Sequence, residues 1–192
     1  MSGMKSSVPT ELIEQRVIEA VAKALDLRPS QVSLSDSLRD DLDAESLDYL
    51  DIVFQLEREF KVQFPRNDLL QRASEHYGEE TLVKDGVVTD LGLEVLRRGM
   101  TEIEPELLRP GLRASEITGL FTVRTFVRVL DRLLAAKEQM PRVCESCGGT
   151  LADSPSLPEL VCQGCEKTVP LPSGDAVLLQ DLLQPAAPGE PA

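Results

Sequence analysis

The stretch DLDAESLDYLDIVFQLEREF, residues 41–60, decides the fold because it combines a helix start with an amphipathic helical pattern. Apolar residues recur at steps of three and four, and acidic residues take most of the positions between them. The apolar set consists of Leu47, Leu50, Val53, Phe54 and Phe60. The sequence therefore predicts an amphipathic helix that begins near Ser46.

The hydroxyl of Ser46 has two interpretations. A helix N-terminus presents unpaired N–H groups and the positive end of the helix dipole, so a phosphodiester attached to this serine would be stabilised there. Serine is also a preferred N-cap residue, so in an unmodified protein the same hydroxyl would only begin the helix. The residues around Ser46 decide between the two.

Residues 13–65 resemble an acyl carrier protein in the order of their elements. A first helix, a long loop, an Asp-Leu pair, the serine helix and a hydrophobic-Pro exit follow one another without an obvious gap. The usual Asp-Ser-Leu of the family is Glu45-Ser46-Leu47 here, which keeps the charge and adds one methylene. The Gly-Gly-x-Ser-Leu of the peptidyl-carrier branch is absent, so the resemblance favours an acyl cargo. Residues 47–54 are also similar to specialised carriers of very long acyl chains for lipid A.

The resemblance implies a 4'-phosphopantetheine arm on Ser46, transferred from coenzyme A by a phosphopantetheinyl transferase. Acyl groups would be carried as thioesters on the thiol of the arm, between enzymes of fatty acid, lipid or related acyl-chain biosynthesis. The chain itself is then not an enzyme. Carriers of this family meet basic patches on their enzymes, and the corresponding positions here are Glu45, Asp48, Leu50, Asp51, Phe54 and Glu57.

The rest of the carrier domain is predicted from periodicity. A first helix is expected over residues 11–26, with Thr10 as its N-cap, and the closing helix of the bundle over residues 115–137. The Thr122-Val123 pair matches the start of that helix in many carriers.

An insertion at about residues 72–113 separates the serine helix from the closing helix. It contains a hairpin pattern around Asp85-Gly86 and short helical candidates at residues 91–98 and 103–108. The insertion is either a tolerated surface segment, or a wall of the acyl cavity or a docking surface.

Four cysteines form two Cys-x-x-Cys pairs, separated by fourteen residues; they are Cys144, Cys147, Cys162 and Cys165. This spacing is typical of a structural zinc ribbon, whose tetrahedral shell takes four thiolates. Iron, a redox dithiol and a lost metal site are the alternatives. A cytoplasmic location fits this interpretation, because a reducing compartment keeps paired thiols free of disulfides.

The charge of the chain limits its partners. Thirty-three acidic residues against twenty basic ones give a net charge of −13, which disfavours nucleic acid and favours basic protein partners. Residues 1–10 lack the pattern of a signal peptide, and no apolar run reaches the length of a membrane span. The lone histidine, His76, lies in a polar stretch and is expected on the surface. We expect a cytoplasmic monomer.

Together these patterns predict a mainly α fold, an acyl-carrier-like four-helix bundle with an inserted segment, followed by a small β zinc ribbon. The expected domains are a carrier domain at residues 1–140, the ribbon at 141–175 and a flexible tail at 176–192. The chief alternative function is an unmodified carrier-like adaptor that uses its acidic helix and its ribbon only to bind proteins. A zinc-ribbon nucleic-acid factor is a third possibility, opposed by the charge.

Overall fold

The computed structural model is mainly helical, with a small antiparallel sheet near the C-terminus, as the sequence predicts. It describes residues 5–66, 69–78 and 80–183. The α-helices are α1 Thr10–Ala24, α2 Ser46–Phe60, α3 Leu69–Tyr77, α4 Asp90–Gly99, α5 Val123–Glu138 and α6 Gly174–Leu183. The strands are β1 Val83–Lys84, β2 Val87–Val88, β3 Leu151–Asp153, β4 Glu159–Cys162 and β5 Thr168–Pro170. Short 3-10 helices cover Pro29–Gln31, Pro105–Leu107 and Ala114–Leu120.

The carrier core forms where α1, α2 and α5 pack together and α6 lies against α5. Its fully buried aliphatic side chains come from three of the helices, and they include Ile13, Val17, Val21, Ile52, Leu56, Val123 and Leu130. Helix α1 begins one residue earlier than predicted, so Thr10 is inside it and the expected Thr10 N-cap is wrong. The carbonyl of Pro9 accepts the N–H groups of Leu12 and Ile13 instead.

Helix α2 does not bury the apolar stripe that its sequence suggests. Its core-facing side chains are Ile52 and Leu56, which are fully buried. Leu47, Leu50 and Phe54 are 74%, 59% and 61% exposed. Apolar residues occur on two sides of this helix, and periodicity alone does not say which side meets the core. One apolar side of α2 is therefore a surface feature.

The predicted closing helix is divided in two at Phe121. A 3-10 helix at Ala114–Leu120 precedes α5, which begins at Val123. The loop between α1 and α2 crosses this break, where the N–H groups of Val123 and Arg124 donate to the carbonyls of Asp36 and Leu34 at 3.0 and 2.9 Å. These bonds satisfy N–H groups of the first turn of α5, and they attach the long loop to the bundle.

The insertion is a folded subdomain with a core of its own. Strands β1 and β2 pair as the predicted hairpin, and Asp85 and Gly86 take the positive φ angles that its tight turn requires. The Thr89 hydroxyl accepts the N–H of Gly92 at 3.1 Å and begins α4, which confirms the first helical candidate. The second candidate is only a short 3-10 helix. The buried side chains of this subdomain include Leu70, Ala73, Leu82, Leu93, Leu96, Met100 and Leu108.

The prediction of a flexible tail at residues 176–192 is wrong for residues 176–183. Residues 176–183 belong to α6, which follows the three-stranded sheet β3-β4-β5 and contacts α3, α4 and α5. Val177 and Leu178 are buried in the carrier core, and Leu179 packs against the core of the insertion. These apolar side chains explain why the segment docks although its surroundings are rich in Pro and Ala. The remaining tail, residues 184–192, lies outside the described residues.

Gly174, the first residue of α6, is where the C-terminal segment meets the chain leaving α2. A Cβ atom there would lie 2.6 Å from the carbonyl carbon of Phe64 and 2.7 Å from the carbonyl oxygen of Gln63. We predict that Gly174→Ala lowers the free energy of unfolding by about 1–3 kcal/mol, the usual cost of overpacking. Chemical denaturation measures the change. Gly119→Ala is the matched control, because a Cβ atom there meets nothing within 4 Å. Equal stabilities for the two variants would contradict the close approach.

Candidate functional site

Ser46 is the first residue of α2, and its side chain is exposed. Glu45 is the N-cap residue, and its N–H donates to the carboxylate of Asp48 at 2.7 Å. In the part of the chain that the structure describes, no hydrogen bond involves the Ser46 hydroxyl. The interpretation of Ser46 as an N-cap is therefore wrong. Its hydroxyl is left free at a helix N-terminus, where a phosphodiester is favoured.

A cleft of about 720 Å³ opens beside Ser46. Its walls come from the loop before α2, from α2 itself and from the segment before α5; they are Arg39, Ala44, Glu45, Ser46, Leu47, Tyr49, Thr118 and Phe121. Arg39 is exposed, and it is the one basic residue from position 36 to position 48, where six carboxylates occur. Burial raises the pKa of the Tyr49 phenol, an effect that the nearby guanidinium of Arg39 partly offsets. Tyr49 thus stays neutral at the floor of the cleft.

An inner cavity of about 370 Å³ lies behind the cleft. Tyr49, Thr118 and Phe121 line both spaces, so the two are adjacent. The inner walls are mostly apolar, and they include Val53, Phe64, Phe126, Val129, Leu178 and Leu179. Arg72 and Met100 of the predicted insertion also line this cavity. The insertion and α6 therefore both form walls of the inner cavity. The sequence alone did not indicate which of their residues would do so.

The predicted partner-binding residues do not all share one surface. Leu50, Asp51 and Phe54 are exposed on α2, and the carboxylate of Asp51 accepts the side-chain amide of Gln55 at 2.8 Å. The carboxylate of Asp48 accepts the N–H of Glu45, so this side chain is engaged in capping the start of α2. Glu57 has a side chain only 16% exposed, which binds the N–H of Phe64 and the guanidinium of Arg66 at 2.7 Å each.

Glu57 therefore holds the segment that leaves α2. Glu45, which is exposed, lies at the mouth of the cleft. The residues that sequence reasoning missed are Arg39, Tyr49, Phe121 and the α6 side chains. Of these, only Arg39 carries a signal, as a lone base in an acidic stretch.

The four cysteines form one compact cluster. Their sulfur atoms all lie within 4.8 Å of one another, and none forms a disulfide. Cys147 and Cys162 are 3.4 Å apart, and Cys144 and Cys165 are 3.8 Å apart, measured between sulfurs. A tetrahedron with Zn–S bonds of about 2.3 Å has edges of about 3.8 Å, so the cluster fits a zinc ion. The hairpin β3-β4 and the turns around Cys147 and Gly164 bring the sulfurs together.

The electrostatics of the cluster also favour a cation. The N–H groups of Gly164 and Cys165 stabilise the Cys162 thiolate and lower its pKa to about 6. The N–H of Gly149 acts to lower the pKa of Cys147 as well, but the neighbouring sulfurs of Cys162 and Cys165 outweigh it and raise that pKa to about 12. Without a metal ion, the Cys147 sulfur therefore retains its proton at neutral pH, whereas the Cys162 sulfur is mostly ionised. A divalent metal ion would replace the proton of Cys147 and neutralise the thiolates.

Comparison with known proteins bears on the first three helices. Residues 15–74 match the family model described as phosphopantetheine attachment site. This segment, which spans most of α1, α2 and α3, is thus a carrier domain of the phosphopantetheine family, and the four-cysteine cluster forms a ribbon-like module beyond it. No solved structure gives a significant match. None of the described helices has the length and apolar character needed to cross a membrane.

We predict that the cluster binds one zinc ion with an affinity that increases with pH. Binding releases the thiol protons, so raising the pH between about 6 and 8 favours the bound form. A competition titration with a chromophoric chelator measures the affinity. Cys162→Ser should lose most of the binding, whereas Ser146→Ala, which changes an exposed serine between the first two cysteines, should retain it. An affinity independent of pH, or full binding by Cys162→Ser, would contradict a four-thiolate site.

Proposed function

We propose that this protein is an acyl carrier, with a 4'-phosphopantetheine arm on Ser46. The observation that carries the proposal is the free, exposed Ser46 hydroxyl at the start of α2, inside the segment that matches the attachment-site family. In the transfer, Oγ of Ser46 loses its proton and forms an ester with the phosphate of the arm, and the nucleotide part of coenzyme A leaves. The positive end of α2 stabilises the resulting phosphodiester.

An acyl cargo suits the cavity behind the cleft. A methylene is about the size of a water molecule, whose share of liquid volume is about 30 Å³, so the inner cavity holds roughly a dozen such groups. Each buried methylene contributes about 0.8 kcal/mol. A chain attached at Ser46 would pass Tyr49 and Phe121 to reach this space, because both residues line the cleft and the cavity.

The protein is a carrier rather than an enzyme in this proposal, because the arm supplies the reactive thiol. The side chains that line the cleft include no histidine, and His76 lies exposed on α3 in edge contact with Tyr77. Partner enzymes supply the chemistry. Four thiols without a disulfide suit the reducing cytoplasm. The pathway we propose is fatty acid, lipid or related acyl-chain biosynthesis.

The partner surface is the exposed side of α2. Leu50 and Phe54 offer apolar contact, and Asp51 lies between them in sequence. The chain has a net charge of −13. The surface that complements it on a phosphopantetheinyl transferase or an acyl-chain enzyme is therefore basic.

The first prediction from this proposal is that Ser46 accepts one arm. Incubation with coenzyme A and a broad-specificity phosphopantetheinyl transferase should increase the intact mass by one phosphopantetheinyl group. Ser46→Ala should abolish the increase, whereas Ser35→Ala, at an exposed serine in the loop before α2, should keep it. An unchanged wild-type mass, under conditions that modify a known carrier, would favour the unmodified adaptor.

The second prediction separates docking from helix capping. Asp51→Lys should lower kcat/KM for arm transfer roughly tenfold at low salt, because it reverses a charge that attracts a basic partner. Asp48→Ala should instead mainly lower stability, by about 0.5–2 kcal/mol, because it removes the acceptor of the Glu45 N–H at the start of α2. Glu75→Lys, an equal charge reversal on the exposed side of α3, is the control. Equal kinetics for Asp51→Lys and Glu75→Lys would remove the docking role.

A further inference from the structure

The ribbon and α6 are joined by a single residue. The N–H of Leu171, which follows β5, donates to the carbonyl of Pro158 in the ribbon at 2.9 Å. The carbonyl of Ser173 accepts the N–H of Val177 at 3.0 Å, in the first turn of α6. Only Pro172 lies between these two hydrogen-bonded ends, and its ring fixes the backbone angle φ. The folded ribbon therefore presents α6 to the bundle from a nearly fixed point.

The ribbon is also held on the bundle near the end of α5. Nζ of Lys137 donates to the carbonyl of Phe60 at 3.1 Å, and it lies 3.0 Å from the carboxylate of Asp153 in β3. This half-buried lysine thus connects the end of α2, the end of α5 and the sheet of the ribbon. The bundle therefore sets the position of the folded ribbon and, with it, the point where α6 begins.

Helix α6 forms one wall of the inner cavity. Asp175, Leu178 and Leu179 line the cavity, and Val177 and Leu178 are buried in the carrier core. If α6 leaves this place, the cavity loses the wall and opens to water. An acyl chain in the cavity is therefore shielded from water only while α6 is docked.

Neither α6 nor the ribbon has the means to hold its place unaided. Helix α6 has ten residues, fewer than the roughly 12–15 at which an isolated helix becomes even marginally stable. The buried core of the ribbon consists of Cys144, Leu151, Leu160, Cys162 and Leu171. Two of these side chains are predicted metal ligands, so the folding of the ribbon depends on the metal ion.

Without a metal ion, residues 139–173 would become a flexible tether between α5 and α6. The equilibrium constant for closing a flexible loop falls with the three-halves power of its length, so a tether of this length lowers the docking equilibrium of α6 on the order of a hundredfold. The folded ribbon avoids this cost because its backbone is already ordered. The docking of α6 is therefore coupled to the folding of the ribbon.

We propose that the ribbon is a metal-dependent latch on α6. While the four cysteines bind a metal ion, the folded ribbon keeps α6 docked, and an acyl chain in the inner cavity stays shielded. When the metal ion is lost, the ribbon unfolds, α6 undocks and the chain is exposed. The coupling between metal binding and α6 stands on the contacts above, whereas the effect on the cargo rests on the proposed attachment at Ser46.

Hydrogen exchange tests the latch in the full-length protein without an arm on Ser46. Removal of zinc with a chelator should speed amide exchange in α6 roughly ten- to a hundredfold, the loss of docking expected from the tether. Exchange in α1 and α2 should change far less, because these helices pack against each other. Equal exchange of α6 with and without zinc would overturn the proposal. An equal loss of protection in α1 would also overturn it, because the metal ion would then support the whole fold.

The cargo provides a second readout. A transferase loads Ser46 from the coenzyme A thioester of a long saturated chain or from acetyl-coenzyme A, and hydroxylamine then cleaves the thioester with and without zinc. Zinc removal should speed the cleavage of the long-chain thioester several-fold. The acetyl thioester, whose two carbons are too few to fill the cavity, should be cleaved at an unchanged rate. Equal zinc effects on both cargoes would overturn the role in shielding. Failure to load Ser46 would refute the carrier function, whereas the exchange data judge the latch independently.

Variants test the coupling in the opposite direction. If metal binding favours the docking of α6, then docking favours metal binding by the same factor. Val177→Ser, which weakens a buried contact of α6, should therefore lower the zinc affinity roughly fivefold or more, whereas Ala176→Ser, at the exposed neighbouring position, should not. Four glycines inserted between Pro172 and Ser173 should reduce the effect of zinc on exchange in α6. Unchanged zinc affinity in Val177→Ser, or an undiminished zinc effect in the insertion variant, would overturn the latch.

Discussion

The docking of α6 against the segment that leaves α2 is the contact on which the rest of the structure depends. Gly174 allows the backbone of α6 to approach residues 63–65, and Asp175 then binds the N–H of Arg66 and the guanidinium of Arg72. One short helix thereby closes the carrier core, meets the core of the insertion and lines the inner cavity. Ion pairs this deeply placed add little net stability, but breaking one partner alone is costly. The contact therefore fixes the position of α6 more than it stabilises the fold.

The division of roles at the start of α2 explains how Ser46 is left available. A helix N-terminus needs acceptors for its first N–H groups, and serine commonly provides one. Here the backbone carbonyl of Glu45 accepts from Asp48 and Tyr49, and the Asp48 carboxylate holds the N–H of Glu45. The hydroxyl of Ser46 is thus not required for folding, so its esterification would leave the hydrogen bonds of the helix start intact.

The parts of the molecule that sequence predicted are those set by local rules. The hairpin at Asp85-Gly86 follows from turn chemistry, and the four-sulfur cluster follows from cysteine spacing. Two features depend on tertiary contacts, and the sequence analysis missed them. The side of α2 that is buried depends on which elements pack against it. Helix α6 is stabilised by the burial of Val177 and Leu178 in the carrier core. Their local composition predicts neither outcome.

The ribbon lies outside the proposed acyl chemistry, yet it is placed to affect the cavity. Asp153 of β3 is 3.0 Å from Lys137 of α5 and 2.7 Å from Arg142, so the sheet is fastened to the end of the closing helix. Leu171, three residues before Gly174, is buried in the small core of the ribbon together with Cys144 and Cys162. A module of this size has too few apolar groups to fold unaided, so a bound metal ion would supply its stability. Four thiolates leave no open coordination position for a substrate. The contribution of such a metal ion would therefore be positional, because it would fix the point from which α6 enters the carrier core and closes the cavity.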